Sequence, residues 1–560
     1  MRCCRRIILR VALGPVCPPV PHWERGARLE REGNMTGAPV SSVGTEISVE
    51  RQMLKRSLTL LPLFGIIYFT VSGGSFGIES LFSTSGSGLA LLLIALVPFV
   101  YSVPNILMVR ELQSMMPVEG GYYHWTKQAF GPFTGFMTGW MNWVVSWVDV
   151  SIYPVLAATY LGFWIPQLRD GWGWAPASLL QWIVGAVLIW GISYMQIRGV
   201  RLSGLTSIWL GAVMLIPLII MSVVGFVNWG VHGSTFHMAF LPKDTGIISA
   251  FQLGLFVVIW NYMGFELPSA AGDEIVKPKR TYPLAMLLVL IAAIATYAIP
   301  TVAALYGGAG ENNKVALWGI TEADSGAGIG PVAQQAGMTA EQMQAAGVDP
   351  TQSDGWGFPD IAKAVALKSG LGNGFATFLG DFMLLAAIFS MIGLFIGNSV
   401  GGTRVPFALA EDGMMPKFLV KVSKKHGTPW IAIILCGIIF SIFSLNAFAA
   451  LVVIDVFLNM IALLIEFLAL WKLRISRPEI PRWRTPGGWP VLLIVTILPT
   501  LLIILAIYSQ IHDSGMKALW LPIAFMGGGA VLYYPIRRWI KLRNNIPDVD
   551  PYVADEEVLT

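Results

Sequence analysis

Residues 58 to 82 of this chain read LTLLPLFGIIYFTVSGGSFGIESLF, an apolar run that is interrupted near its middle. The run is long enough to cross a hydrocarbon layer about 30 Å thick as a helix. Ser72-Gly73-Gly74 stands at its centre, where glycine makes a helix costly. In lipid, unwound backbone is tolerated only where it faces protein or a water-filled cavity. The run therefore predicts a broken membrane span, with ordinary glycine-mediated helix packing as the alternative.

The composition of the whole chain is that of a polytopic membrane protein. Charged residues make up 12% of the 560 residues, against roughly 25% in an average soluble protein. So few charges cannot cover a water-facing surface, which excludes a soluble enzyme, a secreted disulfide scaffold and a disordered chain. The four cysteines have neither metal-ligand spacing nor the pattern of a disulfide framework. We therefore expect no metal, no cofactor and no nucleic-acid partner.

Twelve apolar blocks predict twelve transmembrane helices. They lie near residues 58–82, 88–111, 131–160, 178–197, 203–227, 250–271, 283–306, 372–398, 429–447, 448–472, 489–509 and 518–537. From Arg51 onward, 24 Lys and Arg residues fall on the side of the chain start and six on the other. The positive-inside rule then places both termini in the cytoplasm of a multi-pass protein in the cell membrane.

The same pattern divides the chain into three parts. Residues 1–54 form a cytoplasmic N-terminal segment, residues 55–537 the twelve-helix domain, and residues 538–560 a cytoplasmic tail. Residues 1–34 are rich in Arg and Pro and unlike the rest, so one hypothesis places the native start at Met35. Residues 307–371, rich in Gly, Ala, Gln and Asp, are expected to form a long extracellular loop without a catalytic role.

A second interruption lies in the sixth block, where Asn261, Gly264, Glu266 and Pro268 break the apolar sequence. Two broken helices five spans apart predict an inverted repeat, with residues 58–227 repeated upside down as residues 250–472. Helices 11 and 12, at 489–537, are additions to this unit. We therefore expect an all-α membrane protein with a five-plus-five inverted repeat, broken helices 1 and 6, and a site near the bilayer midplane.

Carboxylates within the predicted spans strengthen the case for a site, because each costs several kcal/mol in hydrocarbon (about 2.5–3.5 on insertion scales). The six are Glu79, Asp149, Glu266, Asp381, Asp455 and Glu466. The spans contain no well-placed Lys or Arg to neutralise them, so we expect protons, metal cations or a cationic substrate to supply the missing charge. Two simpler interpretations stay open: Glu79 reaches water at its helix end, and Glu466 pairs with Lys472 or Arg474.

Helical spacing groups several of these acids with other polar residues. Asn142, Ser146, Asp149 and Tyr153 follow one another in steps of four, three and four, which is one face of a helix. A polar face on a membrane span points to protein or water. Asp455, Asn459 and Glu466 form a similar stripe on the tenth helix.

Aromatic residues flank the second break. Trp260, Tyr262 and Phe265 stand where their rings could cover a cation.

Short motifs between about residues 55 and 537 carry a resemblance to a known group of proteins. They are Val71-Ser72-Gly73-Gly74-Ser75-Phe76-Gly77-Ile78-Glu79, Glu119-Gly120-Gly121-Tyr122, Phe130-Gly131-Pro132, Gly264-Phe265-Glu266, Ala271-Gly272-Asp273-Glu274, Ala410-Glu411-Asp412-Gly413 and Gly427-Thr428-Pro429. As a set they resemble the amino acid, polyamine and organocation (APC) transporter superfamily. Gly139-Trp140-Met141, Asp149 and Tyr153-Pro154-Val155-Leu156 are similar to its polyamine-uptake branch of polyamine:proton symporters.

The sequence departs from that pattern in three places. The loop at 307–371 is long, and the acid after Gly272 is doubled as Asp273-Glu274. A lysine that some proton-coupled members carry in the fifth helix is not evident between Ser203 and Val227, so that proton switch is not carried over.

The resemblance implies a secondary active transporter, not an enzyme, that moves amino acids or polyamines by alternating access. A cationic substrate is favoured, with a proton or sodium as the coupling ion. An amino acid exchanger of the same superfamily is the alternative, and a cation channel or an amine sensor is a more distant one. The predicted substrate-binding residues are Ser72, Gly73, Gly74, Glu79, Asp149, Trp260, Tyr262, Gly264, Phe265, Glu266 and Asp381, with Glu79, Asp149, Glu266 and Asp381 also candidates for ion coupling.

Overall fold

The computed structural model describes residues 54, 56–242, 246–311, 314–319, 357–445, 448–515 and 519–544. The predictions for residues 1–34, and for most of the 307–371 loop and the C-terminal tail, lie outside these residues.

The described residues form α-helices joined by turns and contain only isolated β-bridges. In chain order the helices are α1 Leu60–Val71, α2 Glu79–Ser85, α3 Ser87–Val97, α4 Val103–Met115, α5 Gly121–Phe130, α6 Pro132–Leu161, α7 Gln167–Asp170, α8 Ala177–Arg198, α9 Val200–His232, α10 Ile247–Trp260, α11 Pro278–Ala304, α12 Phe358–Lys368, α13 Asn373–Glu411, α14 Trp430–Phe443, α15 Phe448–Ser476, α16 Gly488–Ser514 and α17 Trp520–Asn544. A π-helical turn, Pro98–Ser102, joins α3 to α4.

Every predicted block carries a helix, and in the described part of the chain eight are long and apolar enough to cross a membrane. Helices α1, α10 and α14 are apolar but shorter. About two thirds or more of the apolar windows of α6 and α13 are buried, whereas a third or less is buried in α8, α9 and α16, as expected for helices that face lipid. The all-helical membrane architecture is thus present, while twelve crossings and an inverted repeat stay predictions.

The first predicted break is present. Helix α1 ends at Val71, α2 begins at Glu79, and residues 72–78 between them are not helical. Gly74 and Gly77 have φ angles of 76° and 94°, which residues with a side chain rarely adopt. The glycines that interrupt the apolar run therefore provide the turn that a broken span needs.

The second break is also present, but the stretch after it differs from the prediction. Helix α10 ends at Trp260, and after Gly264, with φ 101°, the chain continues as two 3-10 turns, Leu267–Ala270 and Gly272–Glu274. The prediction of helix up to residue 271 is therefore wrong. Pro268 lacks an amide hydrogen and Gly272 is a poor helix former, so this stretch cannot hold a regular α-helix.

Candidate functional site

The two breaks lie against each other in the centre of the molecule. A Cβ added at Gly264 would lie 3.1 Å from the carbonyl oxygen of Thr70, so only glycine allows this approach. Asn261 Nδ2 donates a hydrogen bond of 3.5 Å to the carbonyl oxygen of Gly77. The sequence predicted two separate interruptions, and the structure brings them together.

Backbone groups released at the first break have partners within the protein. Ser390 Oγ donates to the carbonyl oxygen of Gly73 at 2.5 Å, and the amide of Gly74 donates to Ser72 Oγ at 3.2 Å. Ser75 Oγ donates to the carbonyl oxygen of Thr296 at 2.6 Å. These contacts hold the unwound segment between α11 and α13, and a ligand that bound these groups would have to replace them.

Glu79 is buried at the start of α2, with 8% of its surface exposed. Its Oε2 accepts the amide N–H of Gly77 at 2.6 Å. The segment that follows α11 covers this region: the Phe76 and Phe358 rings pack edge to face, and Gly319 lies directly on Ser80. The simpler interpretation, that Glu79 reaches water, does not hold in this conformation.

The aromatic residues of the second break have different roles. Tyr262 donates its hydroxyl to the carbonyl oxygen of Ile94 at 3.2 Å. Phe265 is fully buried. Both therefore fix the shape of the break. The ring of Trp260 lies beside Gly77, 3.7 Å from the position that a Cβ on Gly77 would take. Of these three aromatic residues, Trp260 is the one that lies next to both breaks.

The polar face predicted on the third helix points into the protein. Asn142, Ser146, Asp149 and Tyr153 of α6 are all buried. Tyr153 donates its hydroxyl to Asp149 Oδ1 at 2.5 Å. A cavity beside this face has a volume of about 10 Å³, room for about one water molecule. It is lined by Tyr122, Asn142, Val145, Ser146, Asp149, Leu267, Asn398 and Gly402.

The stripe on α15 meets this face and forms two acidic levels. At one level Asp455 lies within electrostatic range of Asp149. At the other, Asn142 Nδ2 donates to Glu466 Oε1 at 3.4 Å, and Glu466 lies within electrostatic range of Glu266. Since a helix rises 1.5 Å per residue, Asp455 and Glu466 are about 16 Å apart along α15.

These acids have unused hydrogen-bonding capacity. Oε2 of Glu466 is buried without a hydrogen-bond partner among the described residues. Asp455 lies near the indole of Trp260 and Asn459 lies near Glu266, but neither contact has the geometry of a regular hydrogen bond. The proposed ion pair of Glu466 is not found, because Arg474 binds Glu111 instead and Lys472 lies over the Phe130 ring. The result is a buried cluster of carboxyl groups without a basic partner among the described residues.

Asp381 is not part of this cluster. Its side chain on α13 is exposed, so the structure separates it from the other predicted site residues. Asn105, Asp455 and Glu466 are in the cluster although they were absent from the predicted set. The polar stripe on α15 indicated Asp455 and Glu466. The one sequence signal for Asn105 was that it is a polar residue within an apolar block.

The family model for amino acid permeases matches residues 58–532. The chain belongs to this family. A permease is a transporter and not an enzyme, which agrees with the sequence-based expectation, as does its place in the APC superfamily.

Curated relatives of this permease are similar along most of their length. A probable polyamine transporter of Arabidopsis thaliana is 26% identical over 506 residues, 90% of each chain. Polyamine transporter PUT1 of Oryza sativa subsp. japonica is 28% identical over 525 residues, 90% of this chain and 85% of its own. Polyamine transporter RMV1 of Arabidopsis thaliana is 27% identical over 472 residues, 84% of this chain and 83% of its own.

One end of the permease's site is closed by the stretch after the second break. The amides of Ser57 and Leu58, just before α1, donate to the carbonyl oxygen of Glu274 at 2.9 and 3.0 Å. The amide of Gly120 donates to the carbonyl oxygen of Ala270 at 2.8 Å. The start of the first span and the loop before α5 are thus tied to the same short segment.

A buried ion pair connects this segment to α13. Arg404 Nε donates to Glu274 Oε1 at 2.8 Å, and both side chains are at least 99% buried. Glu119, Asp273 and Glu411 lie within electrostatic range, and we call these five residues the Arg404 cluster. Burial, with Glu274 and Asp273 nearby, holds the pKa of Glu119 well above its usual range although Arg404 lowers it. Both carboxylate oxygens of Glu119 have no hydrogen-bond partner in the described chain.

Proposed function

We propose that this permease is a secondary active transporter for a cationic amine, a polyamine or a cationic amino acid. It works by alternating access in the cell membrane and is coupled to a proton. Its twelve helices form a five-plus-five inverted repeat and two additional helices, with both termini cytoplasmic. We place the domain boundaries where the sequence predicts them, with residues 1–54 and 538–560 outside the transporter domain, although helix α17 continues into the second segment as far as Asn544.

One observation carries this proposal: carboxylates meet at the breaks without a described basic side chain to neutralise them. Asp149 and Asp455 lie together, and neither forms an ion pair among the residues that the structure describes. A buried charge without a counter-charge is strongly unfavourable, so a bound ammonium group would be stabilised here. The ring of Trp260 adds a face for a cation. The names of the curated relatives support a polyamine as the substrate.

The exchanger of neutral amino acids is the second candidate, favoured by the name of the family. In broken-helix transporters, free amides at a half-helix start bind the carboxylate of an amino acid. Here the carboxylate of Glu79 already accepts the Gly77 amide at the start of α2. This contact disfavours a second carboxylate nearby, so a polyamine is a better ligand here than any amino acid, including a cationic one.

Alternating access is inferred from the closure of both ends. The Arg404 cluster lies at the end near the chain start, which we propose is the cytoplasmic gate. Trp318 and Phe358 cover the other end, where Ser83 Oγ donates to the carbonyl oxygen of Trp318 at 2.8 Å. A cavity with room for about one water molecule cannot admit a diamine, so one end must open for loading and the other for release.

Counterflow in proteoliposomes tests this function. Proteoliposomes that contain the purified protein and are loaded with unlabelled putrescine should take up external radiolabelled putrescine against its gradient. A carrier supports this counterflow, whereas a channel or a sensor does not. Asp149→Asn should weaken binding by at least about a hundredfold, because losing one partner of a buried charge pair costs roughly 3–5 kcal/mol. Asp170→Asn, at an exposed position at the end of the short helix α7, is the matched control.

Two results would contradict the proposal. One is putrescine counterflow by Asp149→Asn at the wild-type rate and affinity. The other is counterflow of neutral amino acids, but not of any amine, by the wild-type protein.

A further inference from the structure

The level of Glu266 and Glu466 is set apart from the proposed ammonium site. Asp149 lines the cavity, whereas Glu266 and Glu466 are not among the lining residues. Both are at least 99% buried. Along α15, Glu466 lies eleven residues beyond Asp455, about 16 Å at the helical rise. This second pair of acids therefore has a different environment from the first.

Only uncharged groups contact this second pair. Asn105 Nδ2 donates to Glu266 Oε2 at 2.8 Å, and Asn142 Nδ2 donates to Glu466 Oε1 at 3.4 Å. Oε2 of Glu466 has no hydrogen-bond partner in the part of the chain that the structure describes. An amide can orient a carboxylate but cannot neutralise it, so the two negative charges would remain uncompensated.

Three tyrosine side chains from three neighbouring elements lie near the pair. Tyr101 of the π-helical turn, Tyr122 of α5 and Tyr282 of α11 are fully buried and lie within electrostatic range of both acids. The hydroxyl of Tyr101 has no hydrogen-bond partner among the described residues. The further charged groups near them are the acids Asp455 and Asp149. Among the described residues, the titratable groups that interact electrostatically with the pair are these phenols and the neighbouring acids.

We propose that Glu266 and Glu466 together hold the coupling proton, one proton being shared by the pair while the carrier is closed. Two carboxylates in a water-excluded site cannot both be ionised without a cation, so the closed carrier needs this proton. When the carrier opens to the cytoplasm, water hydrates the pair, and the proton is released on the same side of the membrane as the substrate. The assignment rests on the proposed transport function, and it separates substrate binding at Asp149 from proton binding at Glu466.

Proton-driven uptake tests the assignment. Proteoliposomes with the membrane potential clamped at zero and a more acidic outside should concentrate radiolabelled putrescine by up to about tenfold per pH unit if one proton accompanies each substrate. In Glu466→Gln, accumulation should fall to the equilibrium ratio of one, while putrescine counterflow persists and loses its dependence on pH. Glu479→Gln, at an exposed position, should behave as the wild type.

A second variant, Glu266→Gln, and a sodium gradient make the test of proton coupling independent of any one protein variant. Glu266→Gln should show the same separation, and it decides the question if Glu466→Gln cannot be purified. The proposal is wrong if both variants still accumulate putrescine with the pH gradient, or if folded variants lose counterflow as well, which would place the pair in the substrate site. Accumulation driven by sodium instead of protons would also overturn it. Failure of wild-type counterflow would instead refute the transport function itself.

Discussion

Removing the guanidinium of Arg404 should open the gate that closes one end of the site. Arg404→Met keeps an unbranched, apolar side chain of similar length and removes the charge. In the closed structure Glu274 would then be a buried carboxylate without its partner, in a cluster that already contains Glu119 and Asp273. When the gate opens, water can hydrate Glu274, so the penalty falls on the closed state.

The size of this effect is set by the burial of the pair. Arg404 and Glu274 are both at least 99% buried, and breaking such a pair costs roughly 3–5 kcal/mol. The equilibrium constant for opening should therefore rise by about a hundredfold to several thousandfold.

A thiol in the cavity reports the opening. Ser146 lines the cavity and is buried, so a Ser146→Cys substitution in a background without the native cysteines should react slowly with a membrane-impermeant reagent added on the cytoplasmic side. Arg404→Met should speed this labelling until the gate is open in most molecules. Arg169→Met, at an exposed position in the short helix α7, is the control.

The double variant Glu274→Gln with Arg404→Met separates charge from packing. Replacing both partners of a buried ion pair is often nearly neutral, so labelling should return toward the wild-type rate. Labelling that is unchanged in Arg404→Met, or equally fast in the single and double variants, would refute the role of this ion pair in closure.

Two further predictions concern the same closed state. The raised pKa of Glu119, caused first by burial and then by neighbouring acids, favours closure below its ordinary value of 4.5, and closure weakens as cytoplasmic pH rises through the raised pKa. Glu119→Gln should remove this pH dependence from thiol labelling, and an unchanged profile would refute it. Gly397→Ala would place a Cβ 2.6 Å from the backbone of Phe69, costing about 1–3 kcal/mol. Its thermal unfolding temperature should fall, whereas Gly374→Ala, facing open space, should show no decrease.

Local patterns in the sequence predicted the elements of the site well. Ser72-Gly73-Gly74 predicted the first break because two adjacent glycines make a helix costly in the middle of an apolar run. The steps between Asn142 and Tyr153 predicted one buried polar face because helical geometry alone determines which side chains share a side. Both features depend on interactions within a few residues.

Contacts between distant segments were harder to predict. The sequence interpretation paired Glu466 with Lys472 or Arg474, which follow it by six and eight residues. On a helix, side chains three or four residues apart are neighbours, so neither basic residue is adjacent to Glu466. Arg474 instead binds Glu111, more than 300 residues away. Asp381 has one polar residue at helical spacing, Thr377, which is too short a pattern to indicate which way its side of α13 would face.

A structure with bound putrescine would test the central claim most directly. We predict one ammonium nitrogen at about 3 Å from the carboxylate of Asp149, with Asp455 on its other side and Trp260 beside it. Putrescine bound elsewhere, with Asp149 and Asp455 still without a cation, would contradict the account.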